Sequence, residues 1–206
     1  MRHGPGLFIV LEGPDKSGKS TQARLLVEAL SAGGRKVLHT REPGGTAVAE
    51  AVRRVLLDTS LQVDPLAELF LYEAARAQHT REQLQPALRG FMTVVCERYT
   101  LSTDVYQGVA RKLGLPMTRA LNRLATGGLR PDLTVVLDVP DAEFRSRDQG
   151  RAHDRLEHES GEFRRRVRAG YRRLARGAAR TVLLDGRRPV EALHAEILGR
   201  VRRLRP

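Results

Sequence analysis

The apolar run Leu7-Phe8-Ile9-Val10-Leu11 leads through Glu12 into Gly13-Pro14-Asp15-Lys16-Ser17-Gly18-Lys19-Ser20. A strand entering GxxxxGK[ST] restricts the fold more than any other feature of the chain. The glycines let the backbone curl so that successive N–H groups face one point, and a helix must follow to add its positive N-terminal end. The result is a phosphate cradle, a P-loop, built between a buried strand and a helix. Lys19 is expected to reach the outer phosphates of a nucleoside triphosphate, and the Ser20 hydroxyl to coordinate Mg2+. Residues 13–20 with Thr21 form the candidate triphosphate site.

Beyond the loop, short β-rich runs alternate with longer helical patterns, which predicts an α/β protein with a parallel sheet. The candidate strands cover 7–11, 36–40, 92–96, 133–138 and 181–184. Most are continuous apolar runs, as strands buried on both faces require. Helices are expected from the P-loop to Gly33-Gly34, then over 47–57, 65–89 (kinked or broken near Pro86), 101–112, 116–126, 161–176 and 189–204. The expectation is a three-layer P-loop fold, a five-stranded parallel sheet flanked by helices, in one domain over 1–206. The segment 141–157 departs from the pattern: nine of its seventeen residues are charged, too many to build core. It is expected to be a mobile surface segment, either a solvated connection or a catalytic lid.

The formal net charge of +12 raises nucleic-acid binding as a possibility. Only four of the 36 basic residues are lysines, and the arginines from 145 to 205 spread along helix faces with few aromatics to stack bases. A polyanionic small molecule suits them better than nucleic acid. The lone thiol, Cys96, cannot form an internal disulfide, which suggests a reducing compartment. No apolar stretch approaches the roughly 20 residues that cross a bilayer, and residues 1–6 lack the apolar core of a signal peptide. A cytoplasmic location without membrane attachment is expected.

A P-loop leaves the reaction open among ATPases, GTPases and kinases; no Asn/Thr-Lys-x-Asp guanine-reading motif is present. Two further charged clusters follow strands, Thr40-Arg41-Glu42-Pro43-Gly44-Gly45-Thr46 and Glu97-Arg98-Tyr99. Ligands of open α/β sheets bind beyond the carboxyl ends of the strands, so these clusters share the P-loop's rim. Together with Arg76-Ala77-Gln78-His79, the run 97–108, ATGGLRPDLTVVLDVP at 125–140 and DRLEHES at 154–160, they make the chain resemble the thymidylate kinase (dTMP kinase) family nearly end to end.

The resemblance implies the reaction ATP + dTMP to ADP + dTDP, with Mg2+, in a homodimer. It implies that Arg98 grips the dTMP phosphate while Glu97, where the family usually has Asp, acts near the metal. Asp15 would approach the sugar 3′-hydroxyl. Tyr72, where Phe is common, would stack on thymine, and Arg76 would hydrogen-bond its carbonyl side, with Thr103 and Gln107 completing the base pocket. Tyr106 would crowd the ribose 2′ position, and Arg41, Glu42 and Pro43 would shape the monophosphate site. From residues alone, Tyr72 reads as core and Arg76 as a solvated helix charge, although their spacing of four puts both on one helix face. His79, His153 and His158 gain no catalytic role.

Phosphoryl transfer builds negative charge that an arginine on a closing segment can meet. Arg147, Arg151 and Arg155 are the candidates, Arg151 aligning best with the lid arginine and Arg147 lying near the triphosphate. Lys16 offers the same charge from the fixed loop, and is favoured. The alternatives are another nucleotide or deoxynucleoside kinase, and a catalytically idle P-loop binding module.

Overall fold

The computed structural model describes residues 6–147 and 154–204. Five strands, β1 (Phe8–Glu12), β2 (Val37–Arg41), β3 (Thr93–Glu97), β4 (Leu133–Asp138) and β5 (Thr181–Asp185), form one parallel sheet in the order β2-β3-β1-β4-β5. The helices are α1 (Lys19–Ala32), α2 (Ala47–Leu57), α3 (Pro65–His79), α4 (Gln85–Arg89), α5 (Thr100–Thr103), α6 (Leu115–Thr126), α7 (Asp141–Ser146), α8 (Gly161–Ala175) and α9 (Val190–Arg202). The strand order reverses at β1, so the P-loop after β1 opens at the point where crossovers leave in opposite directions.

Strand alternation divides the core into two layers. Ile9 and Leu11 of β1 pack with Leu26 and Leu30 of α1 and Ile197 and Val201 of α9. Phe8 and Val10 face the other way, toward Leu84, Leu88 and Tyr99. Val136 of β4 meets Tyr106 and the apolar side of α8, Phe163, Val167 and Tyr171. Helices therefore cover both faces, which explains the apolar character of the central strands.

Two helices differ from their sequence pattern. The run 65–89 is not broken at Pro86; it opens one turn earlier, in a π-helical turn over Thr80–Leu84, where Gln85 N bonds Thr80 O. Proline lacks an N–H and crowds the carbonyl four residues back. Widening the preceding turn relieves that conflict without ending the helix. The run expected at 101–112 is one turn of α5 followed by a second π-helical turn, Asp104–Ala110. At the described ends of the charged segment, α7 occupies its start, Leu156 packs against the α8 layer, and Glu157 is buried.

Candidate functional site

Gly13 has φ +136°, and a Cβ there would meet Leu137 O at 2.4 Å and Ser17 Oγ at 2.9 Å, so only glycine lets the loop leave β1 against β4. Lys19 opens α1 but turns back over the loop, donating from Nζ to Gly13 O at 3.1 Å, Pro14 O at 2.7 Å and Ser17 Oγ at 3.4 Å. Burial and the neighbouring Arg98 charge push its ammonium down to about 7. A phosphate entering the loop would supply the anion that this buried cation lacks. Thr21 lies exposed on the first turn of α1.

Arg98 follows β3 with φ +66°, a conformation that costs a non-glycine residue of order 1 kcal/mol and must be held by its surroundings. Its Nη1 donates to Gly13 O at 3.1 Å, Tyr171 Oη at 3.2 Å and Ser102 Oγ at 3.3 Å. Its Nη2 pairs with Asp15 and donates to Tyr106 Oη at 3.3 Å. Tyr106 Oη in turn donates to Asp15 Oδ2 at 3.1 Å. Burial pushes the Asp15 carboxyl up, but the Arg98 and Lys19 charges outweigh it and hold Asp15 below the usual range.

Ser20 Oγ donates to Glu97 Oε2 at 2.5 Å, and His39 Nε2 lies 3.1 Å from Oε1. Burial raises the Glu97 carboxyl, while the hydrogen bonds from His39 and Ser20 bring it below its ordinary value. An ionised carboxylate beside a hydroxyl at a P-loop is an all-oxygen donor set suited to a hard divalent cation.

A cavity of about 240 Å³ gathers these groups: Asp15, Lys16, Lys19 and Ser20 from the loop, Arg41, Glu42 and Pro43 after β2, Tyr72 on α3, and Glu97, Arg98, Thr103, Tyr106 and Gln107 after β3. A larger cavity of about 600 Å³ shares Asp15, Tyr106, Leu156 and Glu157 but is otherwise walled largely by α8. The titratable groups of the loop and of β3 converge on the smaller one.

Arg76 is placed differently from its sequence expectation. It does not line this cavity, and its side chain is 2% exposed. Nε donates to Glu42 Oε2 at 2.8 Å, Nη1 to Glu73, Thr103 and Asn122 at 2.6–2.9 Å, and Nη2 to Tyr99 O at 3.1 Å. Arg76 thus stands behind the wall and orients Thr103 and the Glu42 turn. Glu42 is a buried ion-pair partner, its Oε1 lying 2.9 Å from His79 Nδ1. His79 reaches Thr40 Oγ1 at 2.7 Å on its other side. Arg41 is tied to Glu50 by two bonds of 3.0 and 3.1 Å.

The lid candidates separate. Arg147 donates to Lys16 O at 3.3 Å and Gly186 O at 3.0 Å, bracing the P-loop from outside. Arg155 turns away from the loop to Glu68 and Leu56 O. Arg151 lies outside the described residues.

Sequence reasoning missed Glu12. This fully buried carboxylate accepts from Tyr99 N at 2.8 Å, Ser102 N at 3.1 Å, Ser102 Oγ at 2.7 Å and Tyr171 Oη at 2.9 Å. It fixes the turn that carries Arg98. Its signal was a carboxylate closing an apolar strand, where an unpaired charge would be costly. Arg53, which donates to Pro43 O at 2.9 Å, also lines the cavity and carried no comparable signal.

The family model described as "Thymidylate kinase" matches residues 11–197. The chain is 47% identical over 194 residues to a thymidylate kinase of Deinococcus radiodurans, covering 93% of this chain and 94% of that protein. It is 44% identical to one from Caldanaerobacter subterraneus subsp. tengcongensis, with 94% and 93% covered, and 45% identical to one from Leifsonia xyli subsp. xyli, with the same shares.

Proposed function

The chain belongs to the thymidylate kinase family, and on that premise we propose that it transfers the γ-phosphoryl group of ATP to the phosphate of dTMP, giving dTDP for nucleotide biosynthesis. The observation that carries this reading is that the P-loop ammonium of Lys19 and the guanidinium of Arg98 face one cavity. Two phosphate-binding cations on one space suit a donor and an acceptor phosphate brought together. We place the enzyme in the cytoplasm, acting on small-molecule nucleotides; among the described residues no helix is long and apolar enough to cross a membrane.

In this reading Arg98 binds the acceptor phosphate, and Asp15 releases part of its grip on Arg98 to accept from the sugar 3′-hydroxyl. Tyr106 closes against the ribose 2′ position, and Tyr72 stacks on the base. Thr103 and Gln107 meet the base edge, with Arg76 as the residue that positions Thr103. Lys16 and Lys19 place positive charge where phosphoryl transfer accumulates negative charge. The phosphate monoester is already ionised, so no general base is needed. Ser20 and Glu97 fit Mg2+, which when bound would neutralise triphosphate charge.

Acceptor choice tests the reading. A site that pairs one base edge leaves its own polar groups unsatisfied against another base. In a coupled ADP-release assay, kcat/KM for dTMP should exceed that for dCMP, dGMP and UMP by at least about a hundredfold. Comparable values for dCMP would reject the thymidylate assignment while leaving a kinase.

For assembly, we propose a homodimer through α2, α3 and α6, which pack side by side. They expose Val48, Val55, Leu66, Phe70, Met117 and Leu124, with Phe70 at 53% and Leu124 at 73%. A large apolar patch on one face marks an interaction surface. Light scattering should give twice the chain mass, and Phe70→Asp should give the monomer. A monomeric parent protein would refute the dimer.

A further inference from the structure

Glu68 lies on α3 one turn before Tyr72, and its side chain is 0% exposed. Its carboxylate joins two separate parts of the chain. Gln107 Nε2 donates to Oε1 at 2.7 Å; Arg111 donates from Nε to Oε1 at 3.2 Å and from Nη2 to Oε2 at 3.1 Å. Arg155 donates from Nη2 to Oε2 at 2.7 Å. Burial raises this carboxyl, but the bonds from Arg111, Gln107 and Arg155 hold it below its ordinary value, so it stays ionised.

The two ends of this junction lead to the same cavity. Gln107 and Thr103 line it, and so do Asp154, Leu156 and Glu157, which flank Arg155. Arg155 is anchored a second time, from Nε to Leu56 O at 2.9 Å and from its backbone N to Leu57 O at 3.3 Å. Arg111 extends the network by pairing with Glu159 at 2.6 Å and lying 4.6 Å over the Phe163 ring at the start of α8. A buried carboxylate between two guanidiniums is a poor source of net stability compared with apolar packing, because its desolvation offsets most of the attraction. Its position between Gln107 and Arg155 offers a second use.

We propose that Glu68 is a positioning residue that couples occupancy of the acceptor cavity to the seating of the segment 154–160. A ligand that draws Gln107 toward the base edge acts on Glu68, and through Glu68 on Arg155 and the turn it carries. Glu68 itself touches no ligand in this scheme. The inference rests on the dTMP reading above, since that reading places a base against Gln107.

Glu68→Gln keeps the shape of the side chain and removes its charge. Hydrogen exchange is measured with and without dTMP, alongside steady-state kinetics. In the parent protein, dTMP should slow exchange both around Arg98 and over 154–160. In Glu68→Gln, protection around Arg98 should persist while the dTMP-linked protection of 154–160 drops by about tenfold. Its kcat should fall about tenfold with KM for dTMP changed by less than about threefold. Arg155→Met should reproduce this pattern, and the double variant should be no worse than either single one.

A purely structural tie would lower the melting temperature yet leave kcat and ligand-linked protection at parent values below it; that result overturns the proposal. If Glu68→Gln does not fold, Arg155→Met is read by the same criteria. A parent protein in which dTMP gives no protection around Arg98 would reject the dTMP reading itself, and the coupling with it. Protection around Arg98 without any over 154–160 would reject the coupling alone.

Discussion

Lys19→Ala is expected to lower kcat by about a thousandfold, roughly 4 kcal/mol of transition-state stabilisation, while the protein stays folded. Lys19 Nζ sits against Gly13 O, Pro14 O and Ser17 Oγ, at the centre of the loop that would carry the phosphates. Its removal takes away charge aimed at the transferring group and little packing. The stability side follows from its titration. Burial and Arg98 depress the folded value to about 7, so between pH 7 and the ordinary lysine range the unfolded chain binds more protons. Stability then rises with pH across that window, and at pH 7 and below the buried charge is a net cost. Alanine removes that cost, so the melting temperature at pH 7 should not fall. Turnover within tenfold of the parent in a folded Lys19→Ala protein would sink the proposed mechanism.

Arg98→Met should be comparably severe, but in the acceptor half-site. We expect kcat/KM for dTMP to fall by at least about a thousandfold, with ATP affinity within about threefold of the parent. The loss has two parts. The guanidinium no longer binds the acceptor phosphate, and Asp15, whose carboxyl Lys19 also helps hold down, is left without its ion-pair partner beside the cavity. An unpaired carboxylate there repels a phosphate. Adding Asp15→Asn should therefore recover part of the loss, so the two substitutions combine less than additively. Methionine keeps φ +66° without the guanidinium contacts that hold the backbone there, so the assays belong well below the melting temperature. A loss under tenfold would place the acceptor phosphate elsewhere.

The π-helical turn at Thr80–Leu84 shows how far local pattern reaches. Pro86 announced a disturbance, and the apolar periodicity announced a helix through it. Whether the backbone breaks or widens depends on what packs around it, and Leu84 and Leu88 are both buried in the layer beneath β1. The strands were legible to within a residue because their burial on both faces writes continuous apolar runs. At the described end of the charged segment, 154–157, charge density did not mean solvation. Arg155 and Glu157 are instead drawn inward, Arg155 to the carboxylate of Glu68 some 87 positions away in sequence.

What the sequence determined by itself is what short-range chemistry dictates: the strand, loop and helix of the phosphate cradle, the parallel sheet, and the rim on which Arg98 and Thr103 gather. Each follows from propensity, glycine geometry or the rule that ligands sit past strand ends. Tertiary structure alone decided the fate of the buried charges. Glu12, Glu42, Glu68 and Arg76 are all at most 4% exposed, and each is held by partners from distant elements that their sequence surroundings do not name. An ionised group enters the interior only when other segments bring counter-charges and hydrogen bonds to it, so its role depends on contacts that no local pattern contains.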